Sequence, residues 1–466
     1  MPTSLKFLGG AGTVTGSKFL FETDSGPDAE RVLIDCGLFQ GLKDLRLQNR
    51  EKLPVDPASI DAVVLTHAHL DHTGYLPLLV RNGFKGKIHA TRPTRELAKI
   101  ILLDSAKIQE EDADYANKMG YSKHVPAEPL YTTKDVQAAL KLFVTDDVGK
   151  WIKVTERVKF RYTPSGHILG SAFVELKFRG MRVVFSGDLG RRSPLMLPPP
   201  SRVTGADYLV VESTYGDRIH PTEAPLHRLR RIINDTIDRG GHVIIPCFAV
   251  GRVQDILYLI SRLKQQKGIP DIPVFLDSPM GIHATEVLLD NPQWHKLKPK
   301  EVKELCDKVI MVQKHQQSEE LSRSTTSAIV IAGSGMLTGG RVLHHLERRL
   351  PDERNTVVLA GFQAAGTRGR LLRDGIPELK MFGHYVPVKA RIEEISSLSA
   401  HADQAETIAW LKGFRTAPRQ TFIVHGEPPA SDALRVRIQD ALGWDVQIPA
   451  QFQSVELRDS GDRDSE

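Results

Sequence analysis

The sequence predicts an α/β protein, on three observations. Short apolar strands ending in polar residues fill roughly the first 190 positions. Helices alternate with short buried strands from about Pro221, the texture of a parallel sheet. After about Pro377 the chain returns to strand–loop–helix elements.

In chain order, Leu5-Lys6-Phe7-Leu8-Gly9-Gly10 is too short for a signal-peptide core and reads as a first strand. The run Arg31-Val32-Leu33-Ile34 ends at Asp35, and Asp61-Ala62-Val63-Val64-Leu65 ends at Thr66-His67. Thr94 to Lys118 reads as a helix, with Leu97, Ile101, Leu102 and Ile108 on its apolar stripe. Its acidic cluster Glu110-Glu111-Asp112 fits a solvated helix end. Ser171 to Phe178 alternates as a half-buried strand, and Met181 to Phe185 is a strand ending at Ser186-Gly187-Asp188. Pro194 to Pro200 is a stiff loop, and Leu209-Val210-Val211 ends at Glu212. Helices over 223–239 and 252–266 then alternate with strands Val243–Ile245, Val274–Leu276, Ala328–Ala332 and Thr356–Ala360. A late strand, Thr421–Val424, ends at His425.

Length and composition are those of a globular chain of two or three domains: 466 residues, 41% apolar and 26% charged. No window reaches the ~18 apolar residues of a membrane span. Cys36, Cys247 and Cys306 are odd in number and far apart, which argues against a disulfide framework or a cysteine metal site and fits a reducing cytoplasm. The net charge of +5 is compatible with a polyanionic substrate without pointing to one. Arg458 to Glu466 reads as a polar, disordered tail.

The decisive segment is His67-Ala68-His69-Leu70-Asp71-His72, which follows an apolar strand. Three imidazoles and a carboxylate within six residues cannot all reach one tetrahedral ion. Shared between two ions they can, with His67 and His69 on one, Asp71 and His72 on the other. His167 and Asp188, both after strands, are candidates for the remaining positions, and a carboxylate such as Asp188 can bridge ions ~3.5–4 Å apart. Asp35 is placed to orient a ligand imidazole.

The order Asp35, His67-x-His69-x-Asp71-His72, His167, Asp188 resembles the metallo-β-lactamase superfamily. That resemblance implies an αββα sandwich with a metal site at one sheet edge. Glu212 in Val211-Glu212-Ser213-Thr214-Tyr215-Gly216, His401 in Ser399-Ala400-His401-Ala402-Asp403, and His425 in Val424-His425-Gly426-Glu427 resemble the later motifs of the β-CASP nucleases. Pro246 to Arg252, Ser334-Gly335-Met336 and Gly361 to Thr367 match that family too. By this resemblance His425 completes the shell of a second Zn2+, and His401 is the general acid held by Glu212. Asp71 and Asp35 are counted with them as catalytic groups. A histidine at 425 implies RNA rather than DNA as substrate.

The chemistry agrees. Phosphodiester hydrolysis needs a nucleophile, phosphate neutralisation and a proton for the leaving oxygen. A histidine beside a carboxylate suits the last task. Ser334 and Gly335, in a glycine loop between a strand and a helix, are candidate phosphate ligands through exposed amides; Ser399, Arg341 and Arg368 are candidate RNA contacts. His344-His345 is read as an exposed helix face and His384 as structural.

The expected whole is therefore an αββα metallo-β-lactamase sandwich from residues 1–215 and 377–466. An inserted α/β β-CASP domain with a mainly parallel sheet spans 216–376. The expected function is a ribonuclease with two zincs per chain, acting on single-stranded RNA as an endonuclease in processing or decay. A 5′–3′ exonuclease is the variant that cleft shape decides, and pairing of two copies is left open. The rivals are a small-molecule ester or thioester hydrolase on the same metals, which needs neither the insertion nor His401, and an inert RNA-binding scaffold subunit, which would have lost ligands.

Overall fold

The computed structural model describes residues 3–24, 26, 28–120 and 124–458. The expected polar tail lies outside them beyond Arg458. The chain forms two compact units: Met1–Pro194, Pro198–Ile219 and His401–Glu466 make the first, Leu195–Leu197 and His220–Ala400 the second.

The first unit holds two seven-stranded sheets. In one, the strands run in the order Ser454–Leu457, Thr3–Gly9, Lys18–Glu22, Arg31–Ile34, Ala62–Val64, Lys87–Ala90, Phe143–Thr145. The first four pair antiparallel with one another, and the rest add on in parallel. The second sheet runs Val446–Gln447, Gln420–Val424, Tyr208–Glu212, Met181–Phe185, Ala172–Phe178, Lys159–Pro164, Ile152–Lys153. Alternate residues of both sheets, among them Phe7, Phe21, Val32, Phe160, Leu176 and Phe422, share one buried cluster, so the sheets pack face to face. The opposite face of the second sheet, through Phe173, Val184, Leu209 and Ile423, packs on helices Gln404–Leu411 and Pro428–Leu442. With helices Leu76–Arg81, Arg92–Met119 and Thr133–Leu140 beside the first sheet, this is the αββα sandwich.

Double coverage corrects one expectation. Ala172–Phe178 is buried on both faces except at Lys177. Trp410 packs on Phe173 from the outside, and the buried Glu175 carboxylate is held by Arg161 at 2.9 Å and by Arg182.

The second unit carries a six-stranded sheet in which every pair is parallel, in the order Val309–Met311, Val274–Asp277, Ile329–Gly333, Val243–Cys247, Thr356–Leu359, Arg391–Glu394. Helices Pro225–Asp238, Arg252–Gln265 and Val342–Arg349 alternate with these strands as the periodicity predicts. Residues 377–400, expected with the returning segment, remain in this unit. Leu379, Met381 and Val386 of the hairpin Glu378–Met381/His384–Pro387 fill its core, and Arg391–Glu394 pairs with Thr356–Leu359. His345 is fully buried rather than exposed, its Nε2 2.7 Å from Asp277 Oδ2.

No helix among the described residues is long and apolar enough to cross a membrane.

Candidate metal centre

Six strands of the first unit deliver polar side chains just beyond their carboxyl ends, the edge of a sheet left open for ligands. Asp35 follows Arg31–Ile34, His67 follows Ala62–Val64, and His167 follows Lys159–Pro164. Asp188 follows Met181–Phe185, Glu212 ends Tyr208–Glu212, and His425 follows Gln420–Val424. Asp71 and His72 sit in the single turn Leu70–Thr73. Approach is tight: a Cβ on Gly37 would stand 1.6 Å from the Asp71 carbonyl oxygen, and one on Gly187 2.5 Å from Thr66. Asp35 and His425 both adopt positive φ, 58° and 49°. Such a conformation costs a non-glycine residue about 1–3 kcal/mol, and the surrounding packing enforces it at functional positions.

The convergent atoms form two groups. In the first, His67 Nε2 lies 3.1 Å from His69 Nδ1, and His167 Nε2 lies 3.2 Å from the same atom. Asp188 Oδ2 is 3.3 Å from both His67 Nε2 and His167 Nε2. Four donors at ~2.0–2.1 Å from a tetrahedral Zn2+ stand ~3.3–3.4 Å apart. The side chains thus already describe the shell of an ion.

In the second group, His425 Nε2 is 3.2 Å and His72 Nε2 3.7 Å from Asp71 Oδ2, and His72 Nε2 is 3.3 Å from Asp188 Oδ1. Buried Asp188 Oδ1 receives no hydrogen bond. Asp188 therefore presents one oxygen to each group.

The electrostatics call for a cation. Burial pushes His72 down, but Asp188, Asp35 and Asp71 outweigh it and raise the imidazole well above its ordinary value. Burial would raise Asp188, yet His425, His72, His67 and His401 hold it well below the usual carboxylate range. His69 is lowered to about 3 by burial and then by His67, which keeps it neutral as a ligand must be. These residues fit a metal.

Their supports are local. Asp35 Oδ2 lies 2.8 Å from His72 Nδ1 and accepts from Thr66 Oγ1 at 2.8 Å, and its Oδ1 accepts from the Thr66 amide at 2.8 Å. From there a carboxylate can orient the His72 imidazole. Thr66 Oγ1 and Thr214 Oγ1 lie 3.1 Å from His67 Nδ1 and His425 Nδ1. Sequence reasoning missed both threonines, though each adjoins a motif it had singled out.

His401 and Glu212 form a third group with Asp188. Glu212 Oε1 accepts from the Leu189 amide at 2.7 Å, and Oε2 from the Thr214 amide at 3.1 Å. Fixed in this way, Oε1 lies 2.9 Å from His401 Nδ1. His401 Nε2 is 3.9 Å from Asp188 Oδ2, facing the metal ligands. Burial lowers His401, but Glu212 and Asp188 outweigh it and lift the imidazole to about 9.

The candidate RNA contacts Ser334, Gly335, Ser399, Arg341 and Arg368 all lie in the second unit. The glycine loop does not lead directly into its helix, which begins at Val342. Ser334 Oγ accepts from the Thr338 amide at 2.9 Å, and a Cβ on Gly335 would approach Phe248 to 2.7 Å. The loop is thus internally tied and packed. Arg341 donates to Asp277 Oδ1 at 2.9 Å and to the Val312 and Gln313 carbonyls; Arg368 donates to the carbonyls of Lys380, Leu337 and Thr338. Both guanidinium groups stabilise their own unit. Ser399 is buried.

Comparison with known proteins bears on the family. Residues 19–239 match the Metallo-beta-lactamase superfamily, 253–372 the Beta-Casp domain, and 385–449 the Zn-dependent metallo-hydrolase RNA specificity domain. The chain is 37% identical over 430 residues to Ribonuclease TTHA0252 of Thermus thermophilus, covering 90% of this chain and 92% of that one. It is 32% identical over 451 residues to an RNase J-like protein of Methanocaldococcus jannaschii, covering 96% and 97% of the two chains. It is also 32% identical over 441 residues to the transcription termination factor FttA of the same organism, covering 91% of this chain and 67% of that one. On the fold, the ligand geometry and these matches together, the chain belongs to the β-CASP family of the metallo-β-lactamase superfamily.

Proposed function

We propose that the chain is a metal-dependent ribonuclease that hydrolyses RNA phosphodiester bonds in RNA processing, with two zincs per chain and His401 as its general acid. The observation that carries the mechanism is the His401–Glu212 pair, 2.9 Å apart, beside two groups of side chains that could hold metal ions. RNA as substrate is supported by the matched RNA specificity domain and by the ribonuclease relative.

His67, His69, His167 and Asp188 would hold one ion; Asp71, His72, His425 and the other Asp188 oxygen would hold the second. Zinc in such a pair neutralises phosphate charge and acidifies water to a pKa near 7. The protein's own part is positional. Two backbone amides fix Glu212, and Glu212 fixes the Nδ1–H tautomer of His401. Nε2 is then the atom that faces the scissile group and gives up its proton to the leaving oxygen. Asp35, through Nδ1 of His72, holds that ring with Nε2 toward the metals.

The test uses end-labelled and internally labelled single-stranded RNA, each with and without chelator, beside DNA of matched sequence and a thioester. We expect internal cuts in RNA, abolished by chelator, with DNA much slower and the thioester inert. Equal DNA cleavage, or thioester hydrolysis without nuclease activity, overturns the reading. Release of single nucleotides from the 5′ end alone would replace endonuclease by exonuclease.

A further inference from the structure

One corner of the first unit's second sheet is left bare by its helices. The helix-facing cluster takes Phe173 and Val184 but no residue of Ile152–Lys153 or Lys159–Pro164. On this bare face the strand register sets Lys153 opposite Lys159, Lys159 opposite Lys177, and Lys177 opposite Arg182. Four cations therefore stand side by side across four strands. Like charges directly opposite destabilise a sheet. Lys153, Lys159 and Lys177 make no ion pair among the described residues, while Arg182 at the inner end is paired with Glu175. Trp151 adjoins the row with 39% of its surface exposed. Arg161 and Lys177 reach over its ring at 4.8 and 5.9 Å from the centroid. Trp151, Arg157, Lys159, Lys177 and Arg179 line a cavity of about 290 Å³.

Protection of a sheet edge would account for a lysine on the outermost strand. It does not account for a row running four strands inward. The patch also lies away from the metal ligands. Lys159 opens the strand whose other end leads to His167; five steps of ~3.3 Å separate Lys159 from the far end, about 17 Å.

We propose that this corner is an exosite for single-stranded RNA, with phosphates along the lysine row and a base against Trp151. A cationic track beside an exposed aromatic is how single strands are held without sequence preference. The assignment rests on the ribonuclease reading. It adds a second point of attachment, so that long RNAs are gripped beyond the nucleotides being cut.

The test compares wild type with Lys159→Gln/Lys177→Gln and with Trp151→Ala, as metal-loaded full-length protein. Binding of a fluorescent oligouridine of about 30 nucleotides is measured on ice across a salt series, with gels confirming intact RNA. Loss of two phosphate contacts should lower the salt slope by roughly 1.4, with affinity falling about tenfold. Trp151→Ala should cost about tenfold as well. Relief of the like-charge row should leave the melting temperature of the double variant unchanged or higher, which a structural role for the lysines would not allow. Unchanged affinity and salt slope overturn the exosite while leaving the ribonuclease intact. Weakened binding of heparin with none for RNA overturns RNA as the occupant. A wild type that neither binds nor cuts RNA removes the ribonuclease reading itself.

Discussion

His401→Ala is expected to keep its metal and its affinity for RNA while cleaving ~10²–10⁴-fold more slowly, the range for loss of a general acid. The expectation follows from position. His401 Nδ1 is engaged by Glu212, and Nε2 stands 3.9 Å from Asp188, beyond the donor spacing within either ligand group. Removing it should leave both groups of metal donors in place. Glu212→Gln should lose less, since the ring remains but is less easily protonated and held by a neutral amide. Metal content, RNA affinity and single-turnover rate measured on one His401→Ala preparation decide the matter. Loss of metal would move His401 into the coordination shell. A lowered melting temperature with an unchanged rate per folded molecule would make it a packing residue.

The largest effect is expected from the ligands themselves. His69→Ala removes the atom that lies within 3.2 Å of both His67 and His167, so the first group loses its central donor. Catalysis by a bound ion contributes several kcal/mol of transition-state stabilisation, and each 1.36 kcal/mol is tenfold, so the rate should drop by ~10³ or more. Elemental analysis should show metal lost in step with activity. The melting temperature should also fall, because an ion bound only by the native state stabilises it. Asp35→Asn is the graded control: its carboxylate only orients His72, so metal affinity should weaken by ~10–100-fold. Full activity of His69→Ala in chelator would refute a metal mechanism.

The fold was legible where local pattern decides. The strand ends at Asp35, His67, Asp188, Glu212 and His425 could be read because an apolar run stops at a polar residue. Short ligand spacing made the six-residue cluster readable. Glu212 with His401 was not readable from residues alone: they meet across 189 positions, and only family resemblance joined them. The burial of Ala172–Phe178 escaped because alternation reports one covered face and is silent on a second. The return point near 377 failed because the hairpin 378–387 has the texture of the first unit while its apolar side fills the core of the other. Arg341 and Arg368 carry the composition of an RNA surface, but their partners are backbone carbonyls and, for Arg341, the Asp277 carboxylate 64 residues away, which no local pattern displays.

The interruption of the first unit by the second also sets a timetable for biosynthesis. Tyr208–Glu212 and Gln420–Val424 are adjacent strands, and Ser213 bonds to the Val424 carbonyl across 211 residues. At roughly 5–20 residues per second, a ribosome needs roughly 10–40 s to make that span. Until that span is made, Tyr208–Glu212 has Met181–Phe185 on one side and no strand on the other, and His425 has not been made. A nascent chain of that length holds His67, His69, His167 and Asp188, but not His425 of the second candidate group. On the proposed assignment, capacity to cut RNA waits until His425 has been made and Gln420–Val424 has joined the sheet.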